Sequence, residues 1–373
     1  MTRSVPEGFS REVLLGSGRS GRVWRAHQDD VGRMVALKEV PCRSGLDRDA
    51  LRREAVAIGS KELLCLPRLY SVEFGAGRGW IVQEYIHGVS VSSLHHGGLE
   101  PDEARWLAHS VVVAIAALHG AGRSHGDLDP GHLILEPSGR LRMIDLGLSV
   151  AKTESVRGGS SGYLAPESGR PDADPLAAEI WGLGVLLHEL LCGTRPGHRG
   201  PDREGLSRIG RWRDIVLSCL SSEPAQRPKA SALVEVLDDQ GPLPFALLQR
   251  VGAQADVDLA RRLKETGRSA LGRKNPRAAW DCLSEAANLD PDDAETLDLL
   301  SHVRLGPSRR PLIPWLAIGL VASLALGLFA WWTLSSGEPP NPTLGIPTRP
   351  MEERLSPQIT TSTPLPLREG RSP

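Results

Sequence analysis

The sequence predicts an α+β domain over residues 9–240, then a helical region, one membrane span and a polar tail. Three observations carry that reading. Val-, Leu- and Ile-rich runs of strand length, such as MVALKEV, fill the first hundred residues. Long helical patterns such as EARWLAHSVVVAIAALHGAG follow them. Finally, LIPWLAIGLVASLALGLFAWWTL, residues 312–334, is apolar throughout and carries no charge, and about 20 such residues span a bilayer.

Composition narrows the function classes. The formal net charge of −1 lacks the basic field that bulk capture of nucleic acid needs, so no nucleic-acid partner is expected. The five cysteines are scattered without a C-x-x-C pair, the usage of buried thiols in a reducing cytoplasm. The opening MTRSVPEGFSREVLLG has no apolar h-region, so no signal peptide is expected.

Taken in order, the first element is LLGSGRSGRVWRA, in which Gly16, Gly18, Gly21 and Val23 fit G-x-G-x-x-G-x-V. Glycines there let backbone N–H groups approach phosphate oxygens with no Cβ in the way. The strand MVALKEV follows and contains Lys38. Burying an unpaired charge is costly, so this lysine needs an anion, which a nucleotide phosphate would supply. ALRREAVAIGSKELL then offers Glu54 on a helix whose apolar positions recur at roughly helical spacing.

With HGDLDPGHLIL, MIDLGLS and GYLAPE, the chain resembles the eukaryotic-like (Hanks-type) bacterial Ser/Thr protein kinases, in the order glycine loop, V-A-x-K, helix Glu, catalytic loop, D-x-G and A-P-E. The resemblance implies a two-lobed kinase fold, an N-lobe sheet plus helix above a helical C-lobe, with ATP and Mg²⁺ (or Mn²⁺) as cofactors and proteins as substrates. It implies that Lys38 holds the α- and β-phosphates, paired with Glu54. Val23, Ala36 and Ile134 would sandwich the adenine, and the backbone around Glu84 and Ile86 would meet its edge. Asp127 would position the substrate hydroxyl and take its proton, and Asp145 would hold Mg²⁺. Leu146 would replace the usual Phe as an apolar plug, and Glu167 and Arg227 would form the C-lobe ion pair.

The departures from the family pattern cluster in the catalytic loop. Gly126 replaces the arginine that reads a phosphorylated activation loop, and Asp129 replaces a lysine that neutralises the transferring phosphate. His132 replaces the asparagine that holds a second metal ion, Glu179 replaces an Asp brace, and Gln83 sits at the gate of the adenine pocket. A metal relocated onto Asp127, Asp129 and Asp145 would offset the lost positive charge, and His132, if it holds metal, would favour Mn²⁺. The expected activity is slow transfer of the ATP γ-phosphate to protein Ser or Thr. The alternative is a pseudokinase that acts as a nucleotide-dependent switch or scaffold.

Beyond the kinase-like part, residues 245–306 read as a helical region. Within it, Leu263, Gly267, Ala270, Ala279, Leu283, Ala286 and Pro291 have spacing that resembles a tetratricopeptide repeat. A lone repeat cannot bury its apolar face, so it must lean on the kinase-like domain, the next helix or a protein partner. Trp315 and Trp331–Trp332 suit the two interfaces of the 312–334 span, and Arg304, Arg309 and Arg310 precede it. The positive-inside rule therefore expects a single-pass protein of the bacterial inner (cytoplasmic) membrane, with residues 1–310 in the cytoplasm and the C-terminus outside. Gly319, Ser323 and Gly327 lie four apart and would permit a homodimer through the span. Residues 337–373 are rich in Pro, Ser and Thr and read as a disordered extracytoplasmic tail.

Overall fold

Alternation along the third strand fixes which side of the upper sheet faces the cleft. In β3 (Arg33–Pro41), Val35 and Leu37 are fully buried on one face, and Ala36 and Lys38 point to the other. Val35 and Leu37 pack with Phe9, Ala26, Trp80 and Val82 into the N-lobe core. The computed structural model describes residues 6–18, 21–42, 44–45, 47–49, 51–52, 55, 63–75, 77–146, 162–197, 200–237 and 241–303. Glu54, the 312–334 span with Gly319, Ser323 and Gly327, and the 337–373 tail lie outside them.

Among the described residues, β1 (Phe9–Gly18), β2 (Gly21–Gln28), β3, β4 (Leu69–Gly75) and β5 (Arg78–Glu84) form an antiparallel sheet in the order β1-β2-β3-β5-β4. The register sets Val23 opposite Lys38, Lys38 opposite Ile81, and Ala36 opposite Gln83. These residues therefore share the cleft face. In β1, Leu15 is skipped between Leu14, which pairs with Trp24, and Gly16, which pairs with Val23, so the strand bulges there.

Below the sheet, β6 (Val89–Ser90), β7 (Leu133–Leu135) and β8 (Leu141–Met143) form a small sheet beside α1 (Val91–His96). The lower lobe is built on α2 (Pro101–Gly120) and α3 (Pro175–Cys192). A capping box between Glu100 and Glu103 starts α2. Asp174 caps α3 and Pro175 opens it, while left-handed Gly193 ends it. Among the described residues, α3 is the one helix long and apolar enough to cross a membrane. It is a core helix: Leu183, Leu186 and Leu187 are fully buried in the C-lobe cluster with Leu107, Ile115 and Leu133. The short helices α4 (Arg203–Arg208), α5 (Trp212–Cys219) and α6 (Ala230–Val236) complete this lobe.

The helical region follows as α7 (Phe245–Gly272), α8 (Pro276–Leu289) and α9 (Ala294–Ser301). Asn275 caps α8. Gly267 is where α7 and α8 meet most closely, since an added Cβ would lie 2.6 Å from Leu283. Ala270, Ala279 and Leu283 pack with Val303, and Lys264 and Arg268 of α7 form ion pairs to Asp293 and Glu295 around the start of α9. Of the residues picked out by spacing, Leu263, Gly267, Ala270, Ala279, Leu283 and Ala286 lie in this seam, and Pro291 is exposed outside it. Their outer face rests on the next helix and, through Leu259, Ala260, Cys282 and Ala286, on Val13 of β1.

Candidate active site

Lys38 is nearly buried, and its Nζ lies 3.0 Å from Asp145 Oδ1, so the needed anion is, in this structure, a carboxylate. Asp145 follows β8 with φ +57, a left-handed conformation that Asp tolerates better than most residues. Two backbone bonds hold the chain just before Asp145: Met143 N–H donates to Cys65 O at 2.7 Å, and Ile144 N–H donates to His132 O at 2.8 Å. At the other end of the cleft-facing strands, Gly21 has φ +118, and an added Cβ would sit 2.0 Å from Glu39 O. Glycine is therefore required where β2 begins.

The loop from His125 to His132 hangs from one buried carboxylate. Glu179, on α3, accepts from the backbone N–H of His125 at 2.6 Å and of Gly126 at 3.0 Å through Oε1. Its Oε2 receives His119 Nε2 at 2.8 Å. The side chain is longer than the Asp usual there and reaches both the loop and the end of α2. His125 is fully buried, which pushes its pKa down despite the Glu179 charge nearby, and its Nε2 donates to Ile144 O at 3.0 Å. Gly126 takes φ +77, a conformation that costs a glycine little.

Asp127 is half-buried and follows directly. His132 Nδ1 donates to the Asp127 backbone oxygen at 2.9 Å, and the His132 ring stacks on His125 with centroids 6.0 Å apart. That bond fixes Nδ1 as the protonated nitrogen and leaves Nε2 as a lone-pair donor. Asp129 Oδ1 accepts from Gly131 N–H at 2.8 Å and caps the 3₁₀ turn Pro130–His132.

Among the described residues, no three His, Cys, Asp or Glu side chains gather into a metal-holding group. Asp129 Oδ1 accepts within its own turn, and Asp145 Oδ1 faces Lys38. A divalent ion here would draw on one carboxylate and one imidazole, a set that suits Mn²⁺ better than Mg²⁺ with its demand for hard oxygen ligands. Asp145 would hold such an ion, with the lone pair of His132 Nε2 as a second donor.

On the nucleotide side, Val23 and Ala36 lie on the cleft face, with Ala36 buried, and Ile134 sits in β7. Gln83 lines a small cavity with Lys38, Pro67, Ile81, Met143, Asp145 and Leu146. Ile86 is half-buried in the segment that joins the lobes. Glu84 is more committed than its sequence suggested. Its N–H donates to Arg68 O at 2.8 Å, and its carboxylate pairs with buried Arg142. Burial raises the Glu84 pKa, but hydrogen bonds and charge from Arg142 outweigh it and hold the carboxyl below its usual range. Arg142 also reaches Glu136 at 2.9 Å and Leu66 O at 2.8 Å, which ties the interlobe segment to the small sheet.

Sequence reasoning missed Arg142 and His119. Arg142 carries the same signal as Lys38, a cation inside an apolar strand (LRMIDL). His119 carries none, because its partner is 60 residues away.

A family model for the protein kinase domain matches residues 9–236. The chain belongs to the protein kinase domain family. It is 32% identical over 133 residues to a probable cAMP-dependent protein kinase catalytic subunit of Encephalitozoon cuniculi, a match covering 35% of this chain and 41% of that one. It is 33% identical over 210 residues to CBL-interacting serine/threonine-protein kinase 24 of Arabidopsis thaliana, covering 52% and 47%. Against serine/threonine-protein kinase PknA of Mycobacterium tuberculosis it is 29% identical over 206 residues, covering 50% and 47%. The chain spans less than half the length of each of these three relatives.

Two features of the kinase domain fall where the family pattern expects them. Glu167 and Arg227 form a buried ion pair, and Arg227 also donates to Ala177 O at 2.9 Å and Ser221 O at 3.0 Å. The Arg227 hydrogen bonds outweigh burial and hold the Glu167 carboxyl below its ordinary range. Leu146 is buried in the C-lobe core.

Proposed function

We propose that the chain is a membrane-anchored Ser/Thr protein kinase that transfers the ATP γ-phosphate to protein hydroxyls, slowly and through an atypical metal site. One observation carries the reading: Lys38 and Asp145 are paired at 3.0 Å in the cleft, beside a catalytic loop held by Glu179. A decayed cleft has no need of a buried lysine, a left-handed aspartate and a braced loop together.

In this reading Lys38 moves from the Asp145 carboxylate to the α- and β-phosphates when nucleotide enters, which frees Asp145 for a divalent cation. Asp145 and His132 would hold that cation, which when bound would supply positive charge against the phosphates. Asp127 orients the attacking hydroxyl and accepts its proton. Asp129, turned onto Gly131 N–H, has its charge partly satisfied by the backbone, which softens the repulsion toward phosphate. Losing the family's lysine there still costs up to about 4 kcal/mol at an effective dielectric near 20. Each 1.36 kcal/mol is roughly tenfold in rate, so slow turnover is expected. Residues 312–334 would anchor the chain in the inner membrane with the kinase domain inside, pairing copies through Gly319, Ser323 and Gly327. The tetratricopeptide-like seam would offer its remaining surface to a protein partner.

The test is nucleotide-dependent melting of the purified chain, because a ligand that binds the folded state raises Tm by mass action. Saturating Mg-ATP should stabilise the wild type and do much less for Lys38→Ala. No shift in the wild type at millimolar ATP would remove both the kinase and the nucleotide-switch readings. If His132 Nε2 is a metal donor, transfer should favour Mn²⁺, and His132→Asn should restore Mg²⁺ use. Equal use of both metals in both proteins would remove His132 from the metal site.

A further inference from the structure

The helix α7 is 28 residues long, about 42 Å at 1.5 Å per residue, enough to run past both lobes. Its first half belongs to the C-lobe. Leu247, Leu248, Val251 and Ala255 are buried in that lobe's core, and Arg250 reaches Glu103 at the start of α2 at 2.6 Å. The second half belongs to the N-lobe. Leu259, Ala260 and Leu263 pack with Val13 of β1, which is fully buried there. Between the two halves, Asp256 meets His87 of the interlobe segment at 3.0 Å. The next helix adds a second tie: Glu285 pairs with Arg25 of β2, a buried cation that also lies over the Tyr85 ring of the interlobe segment.

One contact reaches the glycine loop itself. Leu15 is the residue that the β1–β2 ladder skips, and it directly precedes Gly16. A bulged residue is left unpaired by the ladder. Arg262 NH1 donates to the Leu15 carbonyl. The cation thus comes from outside the family-matched segment, residues 9–236, and holds the strand that carries the glycines.

We propose that α7 is an interlobe strap, and that Arg262 is a positioning residue that sets the glycine loop through the Leu15 carbonyl. A strap fixed to both lobes and to the segment between them limits how far the lobes open. An arginine on the bulge then decides where Gly16 and the backbone N–H groups after it stand relative to phosphate. The helical region is in this sense part of the nucleotide site, and whatever binds or displaces it changes nucleotide affinity. The nucleotide consequence rests on the kinase reading; the mechanical one does not.

The experiment uses the full chain as wild type, Arg262→Ala and Arg262→Lys, with two readouts. The first is amide hydrogen exchange over residues 13–18 without nucleotide. Arg262→Ala should exchange faster there with little change in the α3 core, and Arg262→Lys should recover part of the protection. The second is Mg-ATP affinity by titration, where Arg262→Ala should weaken Kd about tenfold, as one lost charge-assisted hydrogen bond would, with Tm within a few degrees of wild type. Asp256→Asn, at the interlobe segment, should weaken nucleotide binding less and leave exchange at residues 13–18 unchanged. Unaltered exchange and unaltered Kd in Arg262→Ala would overturn the proposal. A wild type that binds no ATP would sink the kinase reading alone, and the exchange arm would still decide whether the strap exists.

Discussion

Replacing Glu179 should separate a braced catalytic loop from a merely well-packed one. The carboxylate is nearly buried and serves three donors: His125 N–H, Gly126 N–H and His119 Nε2. In Glu179→Ala the His125 N–H, in a fully buried residue, loses its acceptor, while the Gly126 N–H lies closer to water. An unsatisfied buried donor costs about 1–3 kcal/mol, so the two together should cost about 3 kcal/mol. Glu179→Gln keeps an oxygen for both backbone groups, and its NH₂ can donate to His119 Nε2 once that imidazole carries its proton on Nδ1. It gives up only the charge-assisted part, about 1 kcal/mol. With 1 kcal/mol moving Tm by about 2–4 °C in a domain of this size, thermal unfolding should fall by roughly 10 °C for Ala and a few degrees for Gln. Asp127 is one residue beyond the braced amides, and a misplacement of about 1 Å can cost roughly 100-fold in rate. Phosphotransfer should therefore drop far more in the Ala variant than in the Gln variant. An Ala variant that melts with the wild type would refute the claim that the loop hangs from this carboxylate.

Arg227→Ala strands the buried Glu167 carboxylate and should cost about 3–5 kcal/mol in urea unfolding. Because Arg227 depresses the Glu167 pKa, the pair's stability is present above the carboxyl's ordinary value and is lost as pH falls through the lower folded value; the variant should lose that acid-sensitive component. Burial pushes the Cys219 thiol up to about 12 and raises Cys65 and Cys192 as well. At pH 8 a thiol reagent should reach half-buried Cys192 slowly and the others only after denaturation, and rapid native labelling of Cys219 would contradict its placement. Gly21→Ala should lower stability by about 2 kcal/mol or more and weaken nucleotide binding, since φ +118 and the 2.0 Å approach to Glu39 O both exclude a Cβ; a melting curve that matches wild type would show that the turn can move.

The parts legible in the sequence are those written in local pattern. The apolar run MVALKEV marked a strand with Lys38 inside it, and the small residues Gly267, Ala270 and Ala279 marked the α7–α8 seam. Asp129 was read from its charge as an oxygen donor for metal, and in the structure its Oδ1 also caps the Pro130–His132 turn. His132 was read by its position as a metal ligand, while its Nδ1 holds the Asp127 backbone, a contact that spacing does not reveal. What the sequence hid are long-range ties. Arg262 lies 247 residues from Leu15, and Arg25 lies 260 residues from Glu285. Arg142 joins three partners from different segments. No periodicity links such positions, because their pairing follows only from how the lobes and the helical region pack.

The central claim is tested most directly by γ-phosphate transfer from labelled ATP, with the purified full chain as both enzyme and substrate beside a generic basic protein, in Mg²⁺ and in Mn²⁺. The account predicts slow labelling on Ser or Thr by the wild type, lost in Asp127→Asn and in Lys38→Ala. Labelling by the wild type no greater than by Asp127→Asn with either metal, in a protein that still binds ATP, would contradict it and leave a nucleotide-binding switch in its place.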